Sequence, residues 1–261
     1  MEKYRSGSSV CWNARRVIRL TNVSAGYAEG NILSHIELHV ARGERVCLLG
    51  RSGAGKTTLL RLMSAALAPR TGILLLDNHD PHVLVGAALR RMRSTIAIIH
   101  QSHDLVDRAS VAHNVLAGRL GRWSAWETLR TWIWPAADRL SEVHGVLQRV
   151  GLGDYLWHRC DRLSGGQQQR VAIARALYQQ AQVILADEPV ASLDPANAAE
   201  VIDLLIRTTH EDGRTLVASL HQPELARRWF TRLIGVRDGA ISFDLPAAEV
   251  DDTRIAALFA P

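Results

Sequence analysis

No apolar stretch in this 261-residue chain approaches the roughly 20 residues that a membrane-crossing helix needs. Residues Met1 to Trp12 are polar and lack the apolar core of a secretory signal, so a cytosolic protein is expected. Cysteine is scarce. Cys11, Cys47 and Cys160 are odd in number, far apart and without metal-ligand spacing, which argues against a disulfide framework and for reduced thiols. Cys47 reads as a buried strand residue. There is no low-complexity tract, no internal repeat and no recognisable nucleic-acid module. The net charge of +5 gathers in clusters such as Arg15-Arg16, Arg90-Arg91-Met92-Arg93 and Arg119 with Arg122. These read as solvated basic surface, with nucleic acid or an anionic membrane as the alternatives. What remains, 47% hydrophobic and 22% charged, is one large or two small globular domains with a substantial core.

Against that ordinary background one loop stands out. Gly50-Arg51-Ser52-Gly53-Ala54-Gly55-Lys56-Thr57-Thr58 fits G-x-x-x-x-G-K-[ST], in which glycines let backbone N–H groups close around nucleotide phosphates. The strand-like run Val46-Cys47-Leu48-Leu49 precedes it, and Leu59, Leu60, Leu62 and Met63 continue it as a helix. That arrangement aims the helix's N–H groups and the positive end of its dipole at the phosphates. Lys56 would reach the β- and γ-phosphates, and the Thr57 hydroxyl would ligate Mg²⁺. The bland alternative is a glycine-rich turn that caps a helix.

The rest of the chain alternates in a way that suits an α/β core. Val17 to Tyr27 and Ile32 to Val40 alternate apolar and polar residues like an antiparallel sheet ahead of the loop. Ile73 to Leu76 and Thr95 to Ile99 are strand-like. From about Val111 to Val150 the pattern turns helical, interrupted by Gly121 and Pro135. Five of the seven tryptophans fall between Trp123 and Trp157. Strand–helix alternation then returns: Val183 to Ala186, a helix over Ala196 to Thr209, Thr215 to Leu220, Leu233 to Val236 and Ala240 to Phe243. The last fifteen residues suit one short helix.

A second constellation decides the class. Leu163-Ser164-Gly165-Gly166-Gln167-Gln168-Gln169-Arg170 opens a helix through Val171, Ile173, Ala174 and Leu177, with Ser164 as a plausible N-cap. Val183-Ile184-Leu185-Ala186-Asp187-Glu188-Pro189 is a buried strand that delivers two carboxylates at its end, where α/β sheets place ligands. Asp187 would hold Mg²⁺ through its shell, and Glu188 would polarise the attacking water. Ala191-Ser192-Leu193-Asp194 follows, and His221 ends another apolar strand.

In these motifs and their order, about residues 17–245 resemble the nucleotide-binding subunit of an ATP-binding-cassette transporter. The resemblance implies an α/β fold: a P-loop ATPase with a RecA-like core, an antiparallel β subdomain and a helical subdomain at about 102–164. Residues 1–16 and 246–261 would be terminal tails. It implies that Tyr27 stacks on adenine, that Gln101 links Mg²⁺ to the membrane partner, that Asp194 belongs to a loop crossing a dimer interface and that His221 senses the γ-phosphate. Ser164, Gly165, Gly166 and Gln167 would complete the phosphate site of a second copy, so that two chains sandwich two ATP molecules with two-fold symmetry.

Two stretches, from His113 to Leu129 and from Gln179 to Pro195, are similar to the ATPase subunits of phosphonate importers, while His100, His113 and Pro223-Glu224 depart from that pattern. The resemblance implies a peripheral ATPase at the cytoplasmic face of the inner membrane. It would serve permease subunits and, through them, a substrate-binding protein, with phosphonate, phosphite or a related oxyanion as cargo and no nucleic-acid partner. A cassette for another cargo, one serving nucleic acid or translation, or one docked on a soluble phosphonate-degrading complex are the alternatives. The tryptophan-rich stretch either fills a small helical core or docks a coupling helix, with Arg119 and Arg122 at the contact.

Overall fold

The computed structural model describes residues 16–260 apart from 29, 103 and 192. Nearly all of the expected N-terminal tail, including Cys11, and Ser192 therefore lie outside the described residues. Two sheets form the frame. Strands β1 (Arg16–Ala25), β2 (Leu33–Ala41) and β4 (Thr71–Leu76) make an antiparallel sheet in the order β2-β1-β4. The other sheet has the order β5-β6-β7-β3-β8-β9, built from β3 (Arg45–Leu49), β5 (Ile96–Ile99), β6 (Val183–Asp187), β7 (Thr215–Leu220), β8 (Arg232–Arg237) and β9 (Ala240–Pro246). Its pairs are parallel except β8 with β9. The parallel strands read as continuous apolar runs because both of their faces are covered: Val46 to Leu49 and Leu216 to Leu220 are buried throughout.

The helices are set by caps as much as by apolar spacing. Helix α1 (Lys56–Met63) follows the phosphate loop and buries Leu59, Leu60, Leu62 and Met63. Helix α6 (Gly165–Tyr178) starts on a capping box: Ser164 Oγ accepts from the Gln167 amide at 3.3 Å, and Gln167 Oε1 accepts from the Ser164 amide at 3.0 Å. Helix α7 (Pro195–Glu211) has Asp194 as its N-cap and Pro195 at its first position, where a missing N–H costs nothing.

Between β5 and α6 lies the helical region: α3 (Val111–Leu116), a 3-10 turn over Ala117–Arg122, α4 (Ala125–Ile133) and α5 (Ala137–Arg149). Pro135 coincides with the end of α4, as its sequence suggests. Helices α2 (Gly86–Arg93) and α8 (Pro223–Trp229) are not foreshadowed by sequence periodicity. The reason is physical: α2 and α8 are only 8 and 7 residues long, so the few side chains they set against the core (Met92 from α2; Leu225, Ala226 and Trp229 from α8) span too few turns for a helical period to stand out. The short helix expected near the end is α9 (Asp252–Phe259), and its Leu258 is inserted into the main core. No helix among the described residues is long and apolar enough to cross a membrane.

Candidate functional site

The phosphate loop is a backbone cradle that only glycine permits. Gly50 has φ +156, and a Cβ there would stand 2.2 Å from the Val236 carbonyl oxygen. Gly55, at φ +107, would drive a Cβ to 2.9 Å from Leu33. The loop is thus pressed against β8 on one side and β2 on the other. The N-terminal end of α1 carries no side-chain cap, so its first amides are not consumed by the protein's own groups. That feature, with the exposed Thr57 hydroxyl at the first turn, fits an anionic ligand.

Lys56 is only 4% exposed, and the chain's other lysine is Lys3, so no second ammonium among the described residues can replace it. Its Nζ donates to the Gly50 and Arg51 carbonyls, both at 2.9 Å, and lies 3.9 Å from Glu188 Oε1. Burial holds its pKa below the usual lysine value, opposed by the neighbouring carboxylates of Glu188 and Asp187.

The carboxylate pair sits where β6 ends. Glu188 is forced into the left-handed region, φ +48, which costs a non-glycine residue on the order of 1–3 kcal/mol. Ser219, fully buried on β7 directly across from Asp187, holds that turn. Its Oγ accepts from the Glu188 amide at 2.9 Å and donates to Asp187 Oδ1 at 2.8 Å. Sequence reasoning misses Ser219. Its only sequence signal is its place two residues before His221 on the neighbouring strand. His221 Nε2 lies in close polar contact with Glu188 Oε1. The folded chain therefore brings together Lys56, Asp187, Glu188 and His221 from three separate segments: the start of α1, the end of β6 and the end of β7.

The other expected residues occupy three places. Tyr27, 43% exposed, stands on the turn after β1. Its hydroxyl accepts from Arg61 Nη1 at 2.9 Å, and its carbonyl accepts from Arg70 Nη2 at 2.6 Å. Gln101 is exposed in the turn just beyond β5. Ser164, Gly165, Gly166, Gln167 and Asp194 line a separate cleft of about 490 Å³, to which the phosphate loop contributes no residue. Asp194 Oδ1 accepts from the Asn197 amide at 3.2 Å, and hydrogen bonding to Asn197 lowers its pKa. This cleft opens at the N-terminal end of α6, where Ser164 caps the Gln167 amide and the positive end of the helix dipole faces the cleft.

No cluster of three or more His, Cys, Asp or Glu with metal-binding geometry occurs among the described residues. Thr57, Gln101 and Asp187 nonetheless offer the hard oxygen donors that suit Mg²⁺, which binds through one or two protein ligands together with substrate phosphates.

The tryptophan-rich stretch divides. Trp123 is half-buried beneath Arg139, whose guanidinium lies 4.3 Å from its ring. Trp126 and Trp134 are 74% and 80% exposed, beside exposed Leu129 and Ile133. Packing accounts for the first, and none of the described residues covers the others.

A two-sheet α/β body with a phosphate loop, a carboxylate pair beside it and a second glycine-opened helix start lining a cleft elsewhere is the architecture of a nucleotide-binding cassette. Residues 33–191 match the model of the family described as ABC transporter, and the chain belongs to that family. Among its curated relatives, phosphonates import ATP-binding protein PhnC 2 of Pseudomonas aeruginosa is 48% identical over 93% of this chain and 91% of its own length. Phosphonates import ATP-binding protein PhnC 1 of Cupriavidus necator is 43% identical over 93% of this chain and 86% of its own. Among solved structures, the dimeric bacterial ABC transporter cassette MJ0796 is 30% identical, with a TM-score of 0.76 over 88% of this chain and 98% of its own.

Proposed function

We propose that the chain is the ATP-hydrolysing subunit of an importer for phosphonate, phosphite or a related phosphorus oxyanion. The observation that carries the cargo class is 48% identity, across 93% of the chain, to a protein named for phosphonate import. The chemistry rests on the geometry described above.

In this reading Gly50, Ser52, Gly53, Ala54, Gly55, Thr57 and Thr58 surround the phosphates of ATP. Tyr27 offers a face to the adenine. Thr57, Gln101 and Asp187 would hold Mg²⁺, which would supply positive charge to offset that of the phosphates. Lys56 turns from the Gly50 and Arg51 carbonyls toward the phosphate oxygens. The Glu188 carboxylate accepts a proton from the attacking water at Oε2, because Oε1 is already engaged by His221. His221 thereby orients Glu188 and stands ready to sense the γ-phosphate.

The cleft at Ser164, Gly165, Gly166, Gln167 and Asp194 completes the phosphate site of a second copy. Two chains close head to tail on two ATP molecules and reopen once the bridging γ-phosphate is cleaved. The dimer form of the related cassette supports this reading. The uncovered Trp126, Leu129, Ile133 and Trp134 suit a permease segment at the cytoplasmic face of the inner membrane. The permease in turn receives cargo from a substrate-binding protein. Residues 17–245 make up the working domain, and the region 102–164 carries the permease contact.

The test is growth of a strain whose chromosomal copy carries Glu188→Gln, on phosphonate, phosphite or phosphate as sole phosphorus source. Loss of growth on phosphonate or phosphite, with growth on phosphate retained, is expected. Unchanged growth on all three, with normal protein level, would refute the cargo. Recovery of the chain with soluble rather than membrane partners would favour a phosphonate-degrading complex instead.

A further inference from the structure

Two arginines, Arg51 of the phosphate loop and Arg237 at the end of β8, hold the far end of α9. Helix α9 begins on the Asp251 cap, whose Oδ1 accepts from the Arg254 amide at 2.7 Å. Arg227 fastens that end through Asp252 Oδ1 at 2.6 Å and the Val250 carbonyl at 2.8 Å. Leu258 is 1% exposed, and Ile255 and Phe259 pack on the same core. The far end of the helix stops beside the loop. There Arg237 Nη1 donates to the Ala257 carbonyl at 2.6 Å, and Arg51 Nη1 donates to the Ala260 carbonyl at 3.0 Å. A helix leaves its last carbonyls without internal partners, and a guanidinium beside them also meets the negative end of the dipole.

Arg51 is itself a loop residue. Its carbonyl accepts from Lys56 Nζ at 2.9 Å and from the Ala54 amide at 3.2 Å. One residue is therefore gripped from two directions, its side chain by the end of α9 and its carbonyl by the buried lysine. The adjoining wall, Val236, is the strand position against which Gly50 is pressed, and Arg237 follows it directly. A cavity of about 250 Å³ separates loop and helix, bounded by Arg51, Gly53, Val236, Arg237, Leu258 and Ala260.

We propose that α9 is a strap that positions the phosphate loop for nucleotide capture, with Arg51 and Arg237 as its positioning residues. The inference rests on reading the loop as the ATP site. A loop ordered before the nucleotide arrives has less freedom to lose on binding. The strap therefore acts on ATP affinity and KM, and leaves turnover at saturating ATP alone.

The experiment compares ATP binding by calorimetry and steady-state hydrolysis for wild type, Arg51→Ala, Arg51→Lys, Arg237→Ala and a chain ending at Asp251. Arg51→Ala and the truncation should each raise Kd about tenfold, in line with loss of a charged hydrogen bond, while kcat stays within about twofold. Arg51→Lys should recover most of the affinity, since an ammonium can still reach the Ala260 carbonyl. Arg51→Ala placed in the truncated chain should add nothing, because both changes remove one contact. If the truncated chain fails to fold, Arg51→Ala combined with Arg237→Ala in the intact chain frees both carbonyls that hold the helix end and should raise Kd at least as far as Arg51→Ala alone, with kcat again within about twofold; wild-type affinity in that double variant would overturn the strap. Wild-type affinity in Arg51→Ala would overturn the strap while leaving the nucleotide site standing. So would effects of Arg51→Ala and truncation that multiply to about a hundredfold, or a fall in kcat at unchanged KM. A wild-type chain that binds no ATP would overturn the nucleotide reading, and the strap with it.

Discussion

Removing one buried hydroxyl, by Ser219→Ala, should disable hydrolysis more than it destabilises the fold. Ser219 is fully buried, and its Oγ serves two partners at 2.9 and 2.8 Å, the Glu188 amide and Asp187 Oδ1. Loss of a neutral hydrogen bond and one to a charged group costs about 2–4 kcal/mol in total. Asp187 is half-buried and can recover part of its share from water, so the lower half of that range is expected. In a domain of this size that lowers Tm by about 5–10 °C. The site suffers more, because Glu188 holds a positive φ only while its amide is tied down. Once released, the peptide relaxes and withdraws the carboxylate from His221 and from the neighbourhood of Lys56. Turnover should fall about 10- to 100-fold, while ATP affinity, which depends on the loop, stays within about threefold. Phosphate release at saturating Mg-ATP and thermal unfolding measure the two quantities on one preparation. Wild-type turnover in a variant whose Tm has fallen as expected would show that the hydroxyl serves packing and that Glu188 is held by something else.

Other substitutions separate binding, chemistry and assembly. Glu188→Gln should bind ATP normally yet lose at least about 100-fold in turnover, and it should accumulate as an ATP-bound dimer in light scattering. Near-normal hydrolysis would remove Glu188 from the base role. Ser164→Arg fills the cleft at the start of α6 and should abolish ATP-driven dimerisation while ATP binding to the single chain persists; a dimer that still forms would count against a composite site. Trp126→Ala with Trp134→Ala, both at uncovered positions, should change folding free energy by no more than about 0.5 kcal/mol. The same pair should sharply reduce recovery of the chain with membranes, and undiminished recovery would send the search for the permease contact elsewhere.

The phosphate loop, the helix opened by Ser164 and the Asp187-Glu188 strand end were legible because each needs particular residue types at fixed short spacings. The strand runs of the larger sheet were legible for a related reason, since continuous burial leaves continuous apolar sequence. Ser219 was opaque because its role arises from strand order: β7 lies beside β6 only after long crossovers, and nothing local says that residue 219 will face residue 187. Helices α2 and α8 were opaque because, at 8 and 7 residues, each is too short for its few core-facing side chains to show a helical period. The tryptophans were half-legible. Their spacing marks a helical region, but which ring meets Arg139 and which meets solvent is decided by how α4 and α5 pack. The final helix could be anticipated as a helix, whereas its attachment to Arg51 joins residues more than two hundred positions apart.

The separation between the phosphate loop and the cleft at Ser164 has a genetic consequence. If each catalytic centre draws its loop from one chain and its cleft from the other, a subunit crippled at Lys56 and a subunit crippled at Ser164 fail in complementary ways. Alone, each allele gives a protein with no intact centre. Expressed together, they produce mixed pairs in which one centre inherits both lesions and the other inherits neither. Two null alleles should then complement within a single gene, and partial growth of the doubly marked cell would count the intact centres that random pairing creates.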